Sequence, residues 1–326
     1  MKTRRALIVL AAALIIGALA WELPLVRQGQ ATVLVKIPKD QRTAREIVGA
    51  LSSAGVLRYP MVFLRFAQIF GWDKKFHRGA YLFHVPETWP ILIISLTRGL
   101  NYAIKVVIPE GWTVAQIAQR LEQLGVAPGE DFERLADQRK IEGYLYPTTY
   151  FLEPQSNPED IMNDMLRQFE KIWNQQFAAR QAPRNFTMNQ VVTLASIIER
   201  EALENQEKPL IASVFLNRLN KGWRLEADPT VQYALGAWKS RLNYKDTKIN
   251  SPYNTYKIFG LPPGPISNPS SSSIAAVYEP ANTEFMYFVA AGDGRHVFFK
   301  TLEEHNRFRY QQKKLKRQEN NNKITP

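Results

Sequence analysis

The stretch TMNQVVTLASIIEREAL, residues 187–203, decides how the larger part of this chain folds. Thr187 is a natural N-cap, and Gln190 stands three residues later, as a capping box requires. Phe186 and Val191 occupy the two positions of a hydrophobic staple. Val191, Leu194, Ala195, Ile198 and Ala202 recur at helical spacing and predict a core-facing stripe. The segment is therefore predicted as an amphipathic helix with a well-specified start.

Two glutamates, Glu199 and Glu201, sit at the buried edge of that helix. Residues three and four apart are neighbours on a helix surface. Glu201 has Ile197 and Ile198 in the preceding turn and Leu194 one turn further back, whereas Glu199 has Ala195 and Ser196. A carboxyl held against apolar side chains loses hydration, and its pKa rises. A carboxyl protonated near neutrality can serve as a general acid. Glu201 is thus the better catalytic candidate and Glu199 an auxiliary one. The competing reading makes both of them rim charges, paired with Arg200 or Arg218.

Around this helix the pattern predicts a mixed chain. Residues 32–37 read as a strand, and a capping box of Thr43 and Glu46 opens a helix to about residue 54. A helix over 61–70, a strand over 79–85 and a helix over 88–97 complete a small α+β unit. A strand at 102–108 and helices at 113–124, 131–138, 158–180 and 209–219 follow. Residues 251–273, rich in Pro, Gly and Ser, predict an ordered loop before a short helix at 273–278. Residues 286–290 and 297–300 alternate around Gly292-Asp293-Gly294 as a hairpin. Thr301 and Glu304 cap a final helix, beyond which the polar end reads as disordered.

The 326 residues, 45% of them hydrophobic, suffice for two folded domains. The absence of cysteine excludes disulfides and Cys-ligated zinc. The net charge of +12 suits an anionic partner, although part of it lies in the segment 309–318, RYQQKKLKRQ. Lys2, Arg4 and Arg5 precede an apolar run over residues 6–21. That order keeps the N-terminus in the cytoplasm and exports the rest of the chain. The run reads as a membrane anchor, with a cleaved signal as the alternative because Ala18-Leu19-Ala20 fits a cleavage site. Export removes nucleic acid as a partner.

Several chemistries lack their signatures. There is no G-x-S-x-G, no H-E-x-x-H and no glycine-rich phosphate loop, and the four histidines are scattered, so neither a metal nor a cofactor is expected. Of those histidines, His296 and His305 could border a cleft, with a structural role the favoured reading. Four segments are instead dense in aromatics, amides and hydroxyls: 142–147 (EGYLYP), 228–233 (DPTVQY), 253–256 (YNTY) and 260–265 (GLPPGP). Rings stack on sugar faces while amides bind hydroxyl and acetamido groups, so the set suits a glycan. Gln232, Asn254 and Tyr256 are the candidate sugar contacts, with Asp228 beside them, Tyr144 and Tyr150 as walls and Glu142 as a further auxiliary carboxyl.

These segments, with LASIIERE at 194–201, VFLNRL at 214–219, the continuation of the proline-rich segment through Ile266, and EHN at 304–306, resemble the MltG (YceG-like) family of endolytic murein transglycosylases, and in the family's order. The resemblance implies an α+β protein of the bacterial inner membrane. Residues 1–25 would form the cytoplasmic N-terminus and anchor, 26–100 a LysM-like domain, 101–310 the transglycosylase domain on the extracytoplasmic side, and 311–326 a basic disordered tail. It implies peptidoglycan glycan strands as substrate, cleavage within nascent strands and a role in setting glycan length, with cell-wall synthases as candidate partners. The family's catalytic glutamate, the second of its E-x-E pair, falls on Glu201. The residue after it, often Thr or Ser in the family, is Ala202 here. A glycan-binding scaffold and a glycoside hydrolase are the alternatives, the latter drawing a second carboxylate from Glu142, Asp228 or Glu199.

Overall fold

Alternating burial and one capping box are enough to start the smaller of two units. The computed structural model describes residues 31–37, 43–202, 204–292 and 294–322, so the segment 1–25 expected to anchor the chain lies outside them. In the smaller unit β1 (Thr32–Ile37) pairs antiparallel with β2 (Gly79–His84), Thr32 opposite His84 and Ile37 opposite Gly79. Val35, Ile37, Tyr81 and Phe83 point inward. Against them pack α1 (Ala44–Ser53), started by the Thr43–Glu46 capping box, with α2 (Pro60–Ile69) and α3 (Trp89–Arg98). Leu51, Phe63, Leu92 and Leu96 are fully buried there. Gly99 stops α3 in the left-handed conformation, φ 62°, which costs glycine nothing.

The division between units falls within β3 (Ile104–Val107), five residues beyond the boundary expected at 100, and residues 151–155 join the smaller unit. They begin with the last two residues of β4 (Thr149–Leu152), which the sequence pattern did not reveal and which pairs with β3. The larger unit continues with α4 (Val114–Gln123), α5 (Gly129–Arg139), α6 (Pro158–Gln176), α7 (Met188–Glu201), α8 (Lys208–Asn220), α9 (Asp228–Leu235) and α10 (Ser271–Tyr278). A hairpin of β5 (Tyr287–Ala290) and β6 (His296–Phe299) precedes α11 (Leu302–Asn322).

Helix α7 is the axis of this unit. Its capping box forms as expected, Thr187 accepting from the Gln190 N–H while Gln190 accepts from that of Thr187. Its burial exceeds the expected single stripe, because every residue from Val191 to Ile198 is buried. Residues of α6, α8 and α10 pack around it in one core, with Phe215, Ile274 and Val277 among those buried. On a helix covered on all sides a polar side chain needs an internal partner. Ser196 has two, donating to the Thr193 carbonyl and accepting from the Ile266 N–H, whereas the buried Thr193 hydroxyl has none among the described residues.

The segment 228–233, to which the sequence pattern assigned no element, belongs to α9, since Pro229 suits the first turn and Gly236 ends the helix at φ 64°. One further expectation is corrected. The tail expected to be disordered continues α11 as far as Asn322. Its Glu, Gln, Lys and Arg residues are good helix formers, and the Thr301–Glu304 cap fixes its start. Among the described residues no helix is long and apolar enough to cross a membrane.

Candidate active site

Three consecutive residues end α7 and face three different surroundings. Glu199 turns inward, its side chain only 9% exposed. It accepts from Lys208 Nζ at 3.0 Å, from the Ser270 N–H at 2.8 Å, from the Ser270 hydroxyl and from the Ser273 hydroxyl at 2.7 Å. Burial alone would raise its pKa, but the serine hydrogen bonds and the Lys208 ammonium outweigh burial and hold the carboxyl below its usual range. Glu199 therefore clamps α7 to α8 and α10, and it is a bonded anion rather than a rim charge. Arg200 donates to the Gly111 carbonyl and lies 3.5 Å over the Trp238 ring.

Glu201 opens on a cavity of about 570 Å³ that it shares with Arg218, Glu226, Asp228, Tyr256, Tyr287, His296, His305 and Asn306. It is half-buried. Loss of hydration is the largest influence on it, and the Asp228 carboxylate adds to it. Arg218 and the Asp228 N–H act the other way, and its pKa is pushed up to about 8. The proton is therefore retained at neutral pH.

Each wall has a local cause. Thr255 and Thr230, both fully buried, share a 2.8 Å hydroxyl hydrogen bond, and Thr255 Oγ1 accepts from the Ala227 N–H. These bonds dock the loop 253–256 on the start of α9. They bring Tyr256 to Asp228, to which its hydroxyl donates at 2.6 Å. Arg218, buried, donates from Nε to the Met286 carbonyl and from Nη1 to the Leu225 carbonyl, both at 2.8 Å. Its guanidinium also lies against the Tyr287 ring. Buried Glu207, at the start of α8, accepts from the His296 N–H at 2.6 Å and bonds its Nδ1 at 2.9 Å, fastening β6 beside the cavity.

Of the residues singled out from sequence, Glu201, Asp228 and Tyr256 share this cavity with His296 and His305, whereas Glu199, Glu142, Gln232, Asn254, Tyr144 and Tyr150 do not line it. Asn254 is fully buried, which corrects its assignment as a sugar contact. Its amide donates to the Thr247 and Ile249 carbonyls and its oxygen accepts from the Tyr256 N–H, so it staples the loop that presents Tyr256. Tyr144 accepts from Asn189 and packs edge-on against Phe169, while the Tyr150 hydroxyl donates to the Tyr146 carbonyl. Neither is a wall of this cavity. Glu142 and Gln232 lie in a separate cavity. Glu142 accepts from the Val114 N–H at the start of α4 and from Asn268, and burial pushes it up to about 8. Gly143 beside it is required by close approach, because a Cβ there would stand 2.4 Å from Pro265. Among the hairpin and α11 contributions, His296 and His305 border the cleft as the less favoured sequence reading allowed, whereas Tyr287 was hidden by distance along the chain and Asn306 was marked by the EHN segment at 304–306 alone.

Residues 35–311 match the model of the YceG-like family. The chain is 34% identical to the endolytic murein transglycosylase of Bacillus subtilis, over 87% of this chain and 86% of that protein. It is 28% identical to the endolytic murein transglycosylase of Streptococcus pneumoniae, again over 87% of this chain but 59% of the relative, whose length it does not span. Among solved structures it is similar to a YceG-like protein of Listeria monocytogenes, with a TM-score of 0.54 and 33% identity over 86% of this chain and 99% of that one. The architecture, the ordered motifs and these matches agree: this chain belongs to the YceG-like family.

Proposed function

We propose that this chain is an endolytic murein transglycosylase, a lyase that cleaves peptidoglycan glycan strands between MurNAc and GlcNAc with Glu201 as its general acid. The observation that carries this is a protonated, half-buried carboxyl on the wall of a cavity lined by aromatic and polar groups. Glu201 donates its proton to the bridging oxygen as the bond from MurNAc C1 to that oxygen breaks, and GlcNAc leaves with a free hydroxyl. Positive charge builds at C1, as in other glycoside cleavages, with the MurNAc acetamido group assisting. The 6-hydroxyl of the same MurNAc then attacks C1, its proton returns to Glu201, and a 1,6-anhydro ring closes without water. Asp228, held by Tyr256, keeps the proton on Glu201 beforehand, and Arg218 stabilises the carboxylate once formed.

A hydrolase would need a second carboxylate placed to activate water or attack C1. Asp228 and Glu226 are the remaining carboxyls of this cavity, since Glu199 is tied to Lys208 and Glu142 lies elsewhere. Mass spectrometry of digested glycan separates the two: anhydro-MurNAc ends are expected, and reducing MurNAc ends would replace the lyase with a hydrolase. Glu201→Gln should abolish turnover, a loss that also sets an enzyme apart from a glycan-binding scaffold.

The finer setting belongs to the same proposal. The apolar run 6–21 anchors the chain in the bacterial inner membrane, with the described units on the extracytoplasmic side. The smaller unit is a LysM-like module that holds the strand. Cleavage of nascent strands ends their elongation beside the synthases that extend them. Microscopy of a fluorescent fusion, with and without residues 1–25, tests the anchoring.

A further inference from the structure

The larger unit contains a second cavity, of about 370 Å³, between α4, α5 and α9, whose lining the chemistry at Glu201 does not use. Its walls combine two aromatic residues, Tyr233 and Trp238, with the amides of Gln119 and Gln232 and the carboxyl of Glu142. Resting on the reading of Glu201 above, we propose that this cavity is a distal subsite that binds a GlcNAc residue of the same glycan strand.

The lining groups favour a neutral sugar. Gln119 is exposed and makes no hydrogen bond among the described residues. Gln232 is held by the Lys239 N–H, which donates to its carbonyl oxygen at 2.8 Å and leaves its NH2 free to donate. Glu142 already accepts from the Val114 N–H and from Asn268, so its acceptor capacity is largely used. Burial keeps it protonated at neutral pH, and the hydroxyl of that neutral acid is a further donor. Donors of this kind suit the carbonyl of an acetamido group and sugar hydroxyls. They offer little to an ammonium group, which has no lone pair to receive them. Glu133 and Asp137 at the rim disfavour an anion such as a free lactyl carboxylate. Trp238 is held by the Arg200 guanidinium over its ring and serves as a prepositioned stacking surface.

Two covalent links tie this cavity to the first. Arg200, which braces Trp238, is the residue before Glu201. Helix α9 carries Asp228 in its first turn, at the first cavity, and Gln232, Tyr233 and Gly236 at the second. The four or five residues from Asp228 to Gln232 and Tyr233 rise by about 6–8 Å. That separation is on the scale of one to two sugar residues. An enzyme that cuts within a strand must hold it on more than the two sugars flanking the bond, and this cavity supplies such a hold.

The test is equilibrium binding of β-1,4-linked GlcNAc oligomers to the full-length Glu201→Gln protein, by calorimetry, with the dimer and the hexamer as probes. Gln119→Trp, on the exposed side of α4, fills the cavity without touching the core. The hexamer should bind the unfilled protein at least fivefold more tightly than the dimer, and filling should remove that advantage while leaving dimer affinity unchanged. A smaller advantage, or one that survives filling, overturns the proposal. So does competition for the cavity by Nα-acetyl-lysine amide, which would make it an ammonium site. A circular dichroism melt of Gln119→Trp matching the parent confirms folding, and the paired variant Gln119→Ala with Gln232→Ala should lower hexamer affinity in the same direction if the first variant unfolds. Turnover of strands by Glu201→Gln would sink the Glu201 assignment without bearing on hexamer affinity, so the two failures are distinguishable.

Discussion

Replacing Glu201 by glutamine should abolish cleavage and, unusually for an active-site change, strengthen the fold, by an amount that depends on pH. The folded state pushes the Glu201 pKa from 4.5 to about 8. Between those values the native carboxyl keeps a proton that the unfolded chain releases, so the unfolded state gains ionisation free energy that the native state does not. The stability associated with this group is fully present below about pH 4.5 and is lost progressively as the pH rises to about 8. A shift of about 3.5 units corresponds to a ceiling of roughly 5 kcal/mol at ~1.4 kcal/mol per unit. Because the carboxyl opens on a cavity that water can enter, a realistic figure is about 2 kcal/mol. Glutamine does not ionise and escapes this loss. Urea denaturation of wild type and Glu201→Gln at pH 4, 6, 7 and 8.5 should give curves that coincide at the lowest pH and separate steadily in favour of the variant. Glu142 titrates in both proteins and cancels. A difference that stays constant within about 0.5 kcal/mol across the range would refute the claim that burial holds this proton. The accompanying loss of turnover should be about 10²-fold or more, the usual contribution of a positioned general acid.

Lys208→Met should destabilise the protein by about 3–5 kcal/mol, because it strands the Glu199 carboxylate in a buried site; adding Glu199→Gln should restore much of the loss in the same thermal melt. Asp228→Asn removes a negative charge that helps keep Glu201 protonated, so the alkaline limb of the kcat–pH profile should move to lower pH; a limb that stays put or moves up contradicts the assigned coupling. Asn254→Ala leaves the Thr247 and Ile249 carbonyls without their donor and should cost about 1–3 kcal/mol in denaturant titrations, with glycan cleavage at saturating substrate falling only as far as Tyr256 loses its place.

Local rules carried much of the fold. Capping boxes at Thr43, Thr113, Thr187 and Thr301 place four helix starts, and the helix that bears Glu201 was legible from its stripe and staple. What escaped was what other segments do to a residue. Asn254 looks like a ligand contact in YNTY because an amide on a loop usually faces water; only the folding of 247–256 back on itself shows that its partners are backbone carbonyls. Glu199 and Glu201 differ in the sequence by their preceding turns, but the partners that separate them most are Ser270 and then Lys208, which reach Glu199 from other elements of the fold. His296 and His305 gave no spacing signal because a hairpin and a helix start bring them to one wall from nine positions apart.

The end of α7 acts as a three-way fork. Successive side chains leave a helix about 100° apart, so Glu199, Arg200 and Glu201 are aimed at the serine clamp, at Trp238 and at the first cavity by helical phase alone. The phase is set at Thr187, where the capping box fixes the first turn. Deleting one residue anywhere between that cap and Glu199 would rotate the fork by one tine, bringing a guanidinium to the serine clamp, a carboxylate under the indole and Ala202 to the first cavity. Length changes in this helix are therefore tolerable only in steps of about seven residues, two nearly whole turns. The α7 segment should accordingly vary in composition along its flanks while its length stays fixed.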